Sequence, residues 1–134
     1  LDPRPALFAA IERGAKGALP RTSGPDRPLD FHIWQPEDPL IEGRFKVMEP
    51  DPASPKAAPN VLLVPLLAFD RYCRRLGHGK GYYDRTLERL RLRDPSVQAI
   101  GVAFQAQEVE AVPVDAFDQT LDMVITEKTV YKAA

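Results

Sequence analysis

A chain of 134 residues with 44% hydrophobic side chains is sized for one domain with a real core. Its formal net charge of -1 gives no global pull toward nucleic acid or an anionic membrane. A single cysteine excludes an internal disulfide and a multi-cysteine zinc site, and it fits a reducing compartment. No apolar run approaches the roughly 20 residues of a membrane span and no signal peptide is visible, so a cytoplasmic protein without a membrane partner is expected.

Residues 4 to 13, RPALFAAIER, place Leu7, Phe8 and Ile11 at helical spacing. Pro3 and Pro5 suit a helix start and Gly14 its end, so a short first helix is expected. GALP, from residue 17, and LDFHIW, residues 29 to 34, read as brief strands. In the second, Leu29, Phe31 and Ile33 alternate with Asp30 and His32, which turns His32 toward solvent. Aromatic residues in such a strand are usually core; Phe31 and Trp34 read that way, with stacking on a ligand ring as the alternative. Prolines then crowd the chain between Gln35 and Asn60, most densely in EPDPASPKAAP. That composition suits neither a helix nor a central strand, so an extended surface excursion is expected and not a domain boundary.

NVLLVP (60–65), VQAIGVAF (97–104) and LDMVIT (121–126) are apolar runs of the kind buried in a largely parallel sheet. Between the first two lie a glycine-rich segment and a helix from about Tyr82 to Arg93, with Tyr83, Leu87 and Leu90 on its apolar face. Strand, glycine loop, helix and strand make a βαβ unit. The fold class that follows is α/β: a three-layer αβα sandwich, a largely parallel sheet with helices on both faces, in one domain over residues 1–134. Glu88 and Arg91 read as neighbours on the solvated face of the helix.

The segment RLGHGKGYYDR, 75 to 85, carries Gly77, Gly79 and Gly81 at every second position. Glycine lets successive backbone N–H groups turn toward one concavity, and a helix N-terminus adds about half a positive charge at the same place. The three glycines read as an anion nest, with Lys80, His78 and Arg75 supplying positive charge or donors around it. A polyphosphate suits such a nest, and a glycine-rich turn that only starts a helix is the plain alternative. The dinucleotide fingerprint and the Walker pattern both fail to match. Asp84, in the first turn of the helix, either caps it or holds Mg²⁺ beside a bound phosphate. Asp70, at a strand end, and Asp118 are further candidates.

The stretch VPLLAFDRYCRRLGHGKGYYDRTL (64–87) resembles the signature region of the 5-formyltetrahydrofolate cyclo-ligase family, also called methenyltetrahydrofolate synthetases. The resemblance extends to DPRP near the start, EP at 49 and 50, GVAFQAQ at 101–107, VPVDAFD at 112–118 and ITE at 125–127, so it covers almost the whole chain. It implies an enzyme that uses ATP and Mg²⁺ to convert 5-formyltetrahydrofolate into 5,10-methenyltetrahydrofolate, releasing ADP and phosphate.

By motif, the resemblance implies that Arg75, Leu76, Gly77, His78, Gly79, Lys80, Gly81, Tyr82 and Tyr83 line the ATP phosphates. It implies that His78, Gly79, Lys80, Gly81 and Tyr82 also face the folate, together with Gln107, and that Asp84 and Asp118 are the Mg²⁺ ligands. Lys80 would neutralise transferring charge, with Arg75 as the second catalytic cation. Cys73 stands where the family has glycine, which matters if that position needs a positive φ. Family members carry, before the point matching LDPRP, a helical segment with a basic pair for ATP and a glutamate for folate; the domain here is expected to lack it. Two readings stay open, an active ligase and a non-catalytic nucleotide or folate binder. No basic stripe or aromatic RNA motif is present, so the expected ligands are 5-formyltetrahydrofolate and ATP, bound by a monomer, with no nucleic acid.

Overall fold

The computed structural model describes residues 2–43 and 46–133. Helix α1 (Arg4–Glu12) starts at Pro3, where a missing N–H costs nothing, and closes at Arg13, whose N–H reaches back to Ala9 and Ala10. Strands β1 (Ala18–Thr22) and β2 (Leu29–Ile33) pair antiparallel. Leu29, Phe31 and Trp34 are buried, and Phe8 stacks on Trp34 with ring centroids 6.0 Å apart. Trp34 also donates its indole N–H to the Asp38 carbonyl, as a buried indole must find an acceptor. Both aromatics are therefore core.

His32 departs from the expected alternation. It is 4% exposed, and its Nδ1 lies 2.8 Å from the Ser54 carbonyl oxygen, so the proline-rich stretch covers the face that the pattern assigned to solvent. That stretch is also more ordered than an excursion. β3 (Leu40–Glu42) and β4 (Met48–Pro50) form an antiparallel pair, and β5 (Lys56–Ala57) adds to β2 as the sheet edge in the order β1-β2-β5. Proline cannot donate to a ladder, which keeps β5 at two residues and at an edge. Glu49, 4% exposed, is satisfied by the Thr22 backbone N–H at 2.9 Å and by Arg21 at 3.8 Å.

The chain divides into two units with the boundary at Pro59 and Asn60, at the end of the proline-rich stretch. The second unit holds the three apolar runs as β6 (Val61–Val64), β9 (Gln98–Val102) and β10 (Met123–Ile125). β6 pairs parallel with β9 and β9 with β10, while β11 (Val130–Lys132) adds antiparallel to β10 at the edge. α2 (Tyr82–Arg93) crosses from the β6 side to β9 and buries Thr86, Leu87 and Leu90. Phe69, Val64, Leu121 and Val124 complete that core, and Gly101 is needed in β9 because a Cβ there would lie 2.8 Å from Leu121 and 2.9 Å from Leu66.

The fold is mixed α/β, with a largely parallel sheet as expected. Within the second unit, helices on both faces of the sheet are not found among the described residues. α2 is the one α-helix in this unit among them, because residues 103–121 follow β9 as loop around a single 3₁₀ turn at Gln105–Gln107. β6 also does not lead straight into the glycine segment: a small antiparallel pair, β7 (Ala68–Phe69) and β8 (Arg75–Leu76), intervenes.

Candidate functional site

The turn from β7 to β8 is built on Asp70, which is fully buried. Its Oδ1 accepts from the backbone N–H of Tyr72 and Arg74, at 3.0 and 3.2 Å, and its Oδ2 from Arg74 Nε at 2.7 Å and the Val112 N–H at 2.9 Å. Burial works to raise the carboxyl pKa, but the Val112 and Arg74 hydrogen bonds outweigh it and hold Asp70 below the ordinary carboxylate range. With four donors on two oxygens, it ties the turn to the 112 segment and has no role left for a ligand. Cys73 completes the turn at φ 63, the left-handed region that its position in place of a glycine predicts. The thiol is buried, and burial raises its pKa, which makes it a small inert hydrophobe.

β8 then places Arg75 underneath the glycine segment, with its side chain 6% exposed. Its Nε donates to the Pro65 carbonyl at 3.2 Å, its Nη1 lies 3.6 Å from Asp84 Oδ1, and its guanidinium sits 5.8 Å from the centre of the Tyr83 ring. Burial lowers the Arg75 pKa, opposed by the charge of Asp84. Burial likewise pushes the Tyr83 hydroxyl up to about 12, with the Arg75 cation acting against the shift. A Cβ at Gly77 would meet Arg75 Nη2, so the guanidinium packs directly against this glycine and would have to shift for any side chain there.

The other two glycines differ in kind. Gly79 has φ +89 and open space around its missing side chain, while Gly81 has φ +71 and is the N-cap of α2. Both occupy backbone conformations that side-chain-bearing residues rarely adopt. His78, Gly79 and Lys80 are exposed, and Leu76 faces solvent at the end of β8. Arg85 folds back along the helix start and donates to the Lys80 carbonyl at 2.8 Å, closing the loop from its helical side. The segment is thus an exposed loop with two left-handed glycines that runs into a helix N-terminus, the kind of backbone from which anion cradles are built.

Asp84 stands in the first turn of α2, where its charge suits the helix dipole, but no side-chain hydrogen bond caps the helix start. Its Oδ1 accepts instead from the Gln119 backbone N–H at 3.0 Å. The bonds of one peptide unit and one side chain then keep the Asp118 carboxyl carbon within about 8 Å of that oxygen. The two expected metal-binding carboxylates are thus neighbours, although 34 positions separate them in sequence. Asp118 Oδ2 accepts from the Asp115 N–H at 2.9 Å. Among the described residues no three His, Cys, Asp or Glu side chains gather as a metal cluster. Two carboxylates beside an anion cradle fit Mg²⁺, which takes one or two protein carboxylates with phosphate oxygens and water.

Gln107 lies apart from this constellation in what it does. Its Oε1 accepts from the Phe104 N–H at 2.7 Å and its Nε2 donates to the Leu66 and Leu67 carbonyls at 3.2 and 3.3 Å, so it braces the chain after β9 against the chain after β6. Tyr82 and Tyr83 are both half-buried at the start of α2. Three participants were not foreseen: Arg85 on the loop, Gln119 on Asp84, and Arg91, which bonds Gln119 Oε1 at 3.1 Å and Asp122 at 3.0 Å. Arg85 was within reach, since it closes the quoted motif. Gln119 and Arg91 were not, because their partners lie 28 to 35 positions away. A separate open groove of about 350 Å³ is lined by Arg71, Glu108, Val109 and Glu110, none of them an expected site residue.

Residues 4–127 match the model of the 5-formyltetrahydrofolate cyclo-ligase family. The chain is 37% identical over 108 residues to the 5-formyltetrahydrofolate cyclo-ligase of Escherichia coli (strain K12), an alignment covering 78% of this chain and 58% of that protein. It is 32% identical over 130 residues to the 5-formyltetrahydrofolate cyclo-ligase of Mycolicibacterium smegmatis, covering 91% and 65%. The NMR structure of Aquifex aeolicus 5,10-methenyltetrahydrofolate synthetase superposes with a TM-score of 0.75 at 33% identity, over 98% of this chain and 65% of that one. The chain spans less than two thirds of the length of these relatives. With the signature residues folded around one glycine cradle and nearly the full chain matched, the protein belongs to the 5-formyltetrahydrofolate cyclo-ligase family.

Proposed function

We propose that this chain carries the chemistry its relatives are named for, as an ATP- and Mg²⁺-dependent ligase that converts 5-formyltetrahydrofolate into 5,10-methenyltetrahydrofolate with release of ADP and phosphate. The observation that supports this most is the exposed loop at 77–81, left-handed at Gly79 and Gly81, opening directly onto Asp84 and the segment bearing Asp118. In this reading the ATP phosphates lie in the loop. The formyl oxygen attacks the γ-phosphorus and ADP leaves. N10 then closes on the activated carbon and loses its proton, and the C–O bond breaks to release phosphate.

The residues of this chain divide that work. Backbone N–H groups of the loop and the α2 N-terminus orient the phosphates, since phosphoryl transfer is mostly positioning and charge stabilisation. Lys80, exposed on the loop, brings its ammonium to the transferring charge. Arg75 acts from beneath: it supports the loop at Gly77 and adds positive potential without reaching the solvent side. Asp84 and Asp118 would hold Mg²⁺, which supplies charge neutralisation on the phosphates. His78 and Tyr82 face the folate, and Gln107 contributes by bracing its loop.

The layered αβα sandwich stays part of this proposal. The protein would act as a cytoplasmic monomer on these two small ligands. The test is an absorbance assay for methenyltetrahydrofolate with ATP, Mg²⁺ and 5-formyltetrahydrofolate. ATP-dependent product supports the reading. Tight ATP and folate binding with no product would make the chain a binder and overturn it.

A further inference from the structure

Gln119 is held at both ends by one face of α2. Its backbone N–H donates to Asp84 Oδ1 at 3.0 Å, in the first helical turn, and its side-chain Oε1 accepts from Arg91 Nη1 at 3.1 Å, two turns further on. Arg91 is itself fixed, because its Nη2 donates to Asp122 Oδ2 at 3.0 Å, and that same oxygen accepts the Ala99 N–H of β9 at 2.7 Å. Asp84 and Arg91 stand seven residues apart and so share one helix face. The segment from Asp118 to Asp122 is therefore clamped along α2 at three points. Asp118 immediately precedes the residue held twice, and its other tether, the Asp115 N–H, belongs to its own exposed turn.

We propose that Gln119 is a positioning residue for the divalent cation, setting the Asp118 carboxylate against the start of α2 by bridging Asp84 and Arg91. This rests on the proposed Mg²⁺ role of Asp84 and Asp118. Without its Arg91 bond, Gln119 itself keeps only the backbone contact to Asp84, while the far end of the segment stays pinned through Asp122 to Arg91 and Ala99. Asp118 would then sample orientations that do not face the loop. The Gln119 N–H on Asp84 stands where the outer hydrogen-bonding layer does around metal ligands generally, and the Arg91 bond to its side chain fixes the direction of that N–H.

The experiment measures Mn²⁺ binding by electron paramagnetic resonance, with a non-hydrolysable ATP analogue present, alongside thermal unfolding without metal. Gln119→Met keeps length and removes the acceptor. It should weaken Mn²⁺ binding about tenfold while the unfolding midpoint without metal stays close to that of the parent. Gln119→Glu restores an acceptor for Arg91 and should recover most of the affinity. A merely structural glutamine would lower the unfolding midpoint and leave Mn²⁺ affinity intact, and that result overturns the proposal. Weakening that Gln119→Glu fails to rescue overturns it as well. Should Gln119→Met not fold, Gln119→Ala makes the same comparison. Asp118→Asn separates the two readings: loss of Mn²⁺ binding there with unchanged binding in Gln119→Met defeats only the positioning role, whereas unchanged binding in Asp118→Asn defeats the metal site itself.

Discussion

Asp70 and Asp84 are both aspartates near strand or helix ends that a sequence offers as metal ligands, and their surroundings assign them opposite work. Asp70 is fully buried and takes four donors, three of them from its own turn and one from residue 112. Asp84 keeps 20% of its side chain exposed and takes one backbone N–H, with Arg75 Nη1 at a loose 3.6 Å. A carboxylate whose lone pairs are already matched builds structure, because any ligand would have to displace charge-assisted hydrogen bonds each worth about 1.5–3 kcal/mol. A carboxylate left partly satisfied beside an open loop is the one that can accept an ion.

The largest expected break in this comparison is at Asp70. Asp70→Ala leaves buried donors and the Arg74 cation without their acceptor and should cost about 3–5 kcal/mol of stability, read by urea denaturation. The same contrast appears in acid. The folded-state pKa of Asp70 is depressed, so its contribution is whole above the ordinary carboxylate value of 3.8 and is lost as pH falls through the lower folded value. An acid unfolding curve of Asp70→Asn should be flatter than that of the parent across that window. An identical slope would remove Asp70 as the turn's organising group.

Asp84→Asn should do the reverse. Asparagine retains an acceptor for the Gln119 N–H, so stability falls by about 1 kcal/mol, while the Mg²⁺ concentration needed for half-maximal turnover or ATP binding rises severalfold. An unchanged Mg²⁺ requirement would make Asp84 a second structural carboxylate and erase the contrast. Smaller again for the fold is Lys80→Met, since the side chain is exposed. Its kcat should fall more than its affinity for ATP if the lysine serves the transition state. A rise in KM alone would reduce it to a ground-state phosphate contact.

Much of this was legible in the chain. α2 occupies Tyr82–Arg93 and the three apolar runs became β6, β9 and β10, because a 3.6-residue period and continuous apolar stretches report directly on burial. Cys73 in place of a glycine signalled a left-handed position, and its φ of 63 is that position. His32 was misassigned because alternation describes a strand with one wet face, and the proline-rich stretch covers that face. The β7 and β8 pair was missed since two-residue strands carry no period. Arg75 was expected among the charges and donors around the nest; only the fold puts it, buried, under Gly77. Gln119 and Arg91 owe their roles to contacts across 28 and more positions, and no local pattern encodes those.

The claim on which the rest depends is that the loop at 77–81 is a phosphate cradle and more than a turn into α2. Gly79 isolates it, since a side chain there meets open space, so the substitution bears on the loop's backbone and not on the core. Calorimetric titration of Gly79→Val with MgATP, beside a circular dichroism spectrum that verifies the fold, is the direct measurement. A folded variant that no longer binds ATP is the predicted result, because the φ of +89 is inaccessible to valine and its branched side chain would stand over the loop amides. A folded variant that binds ATP as tightly as the parent would contradict it.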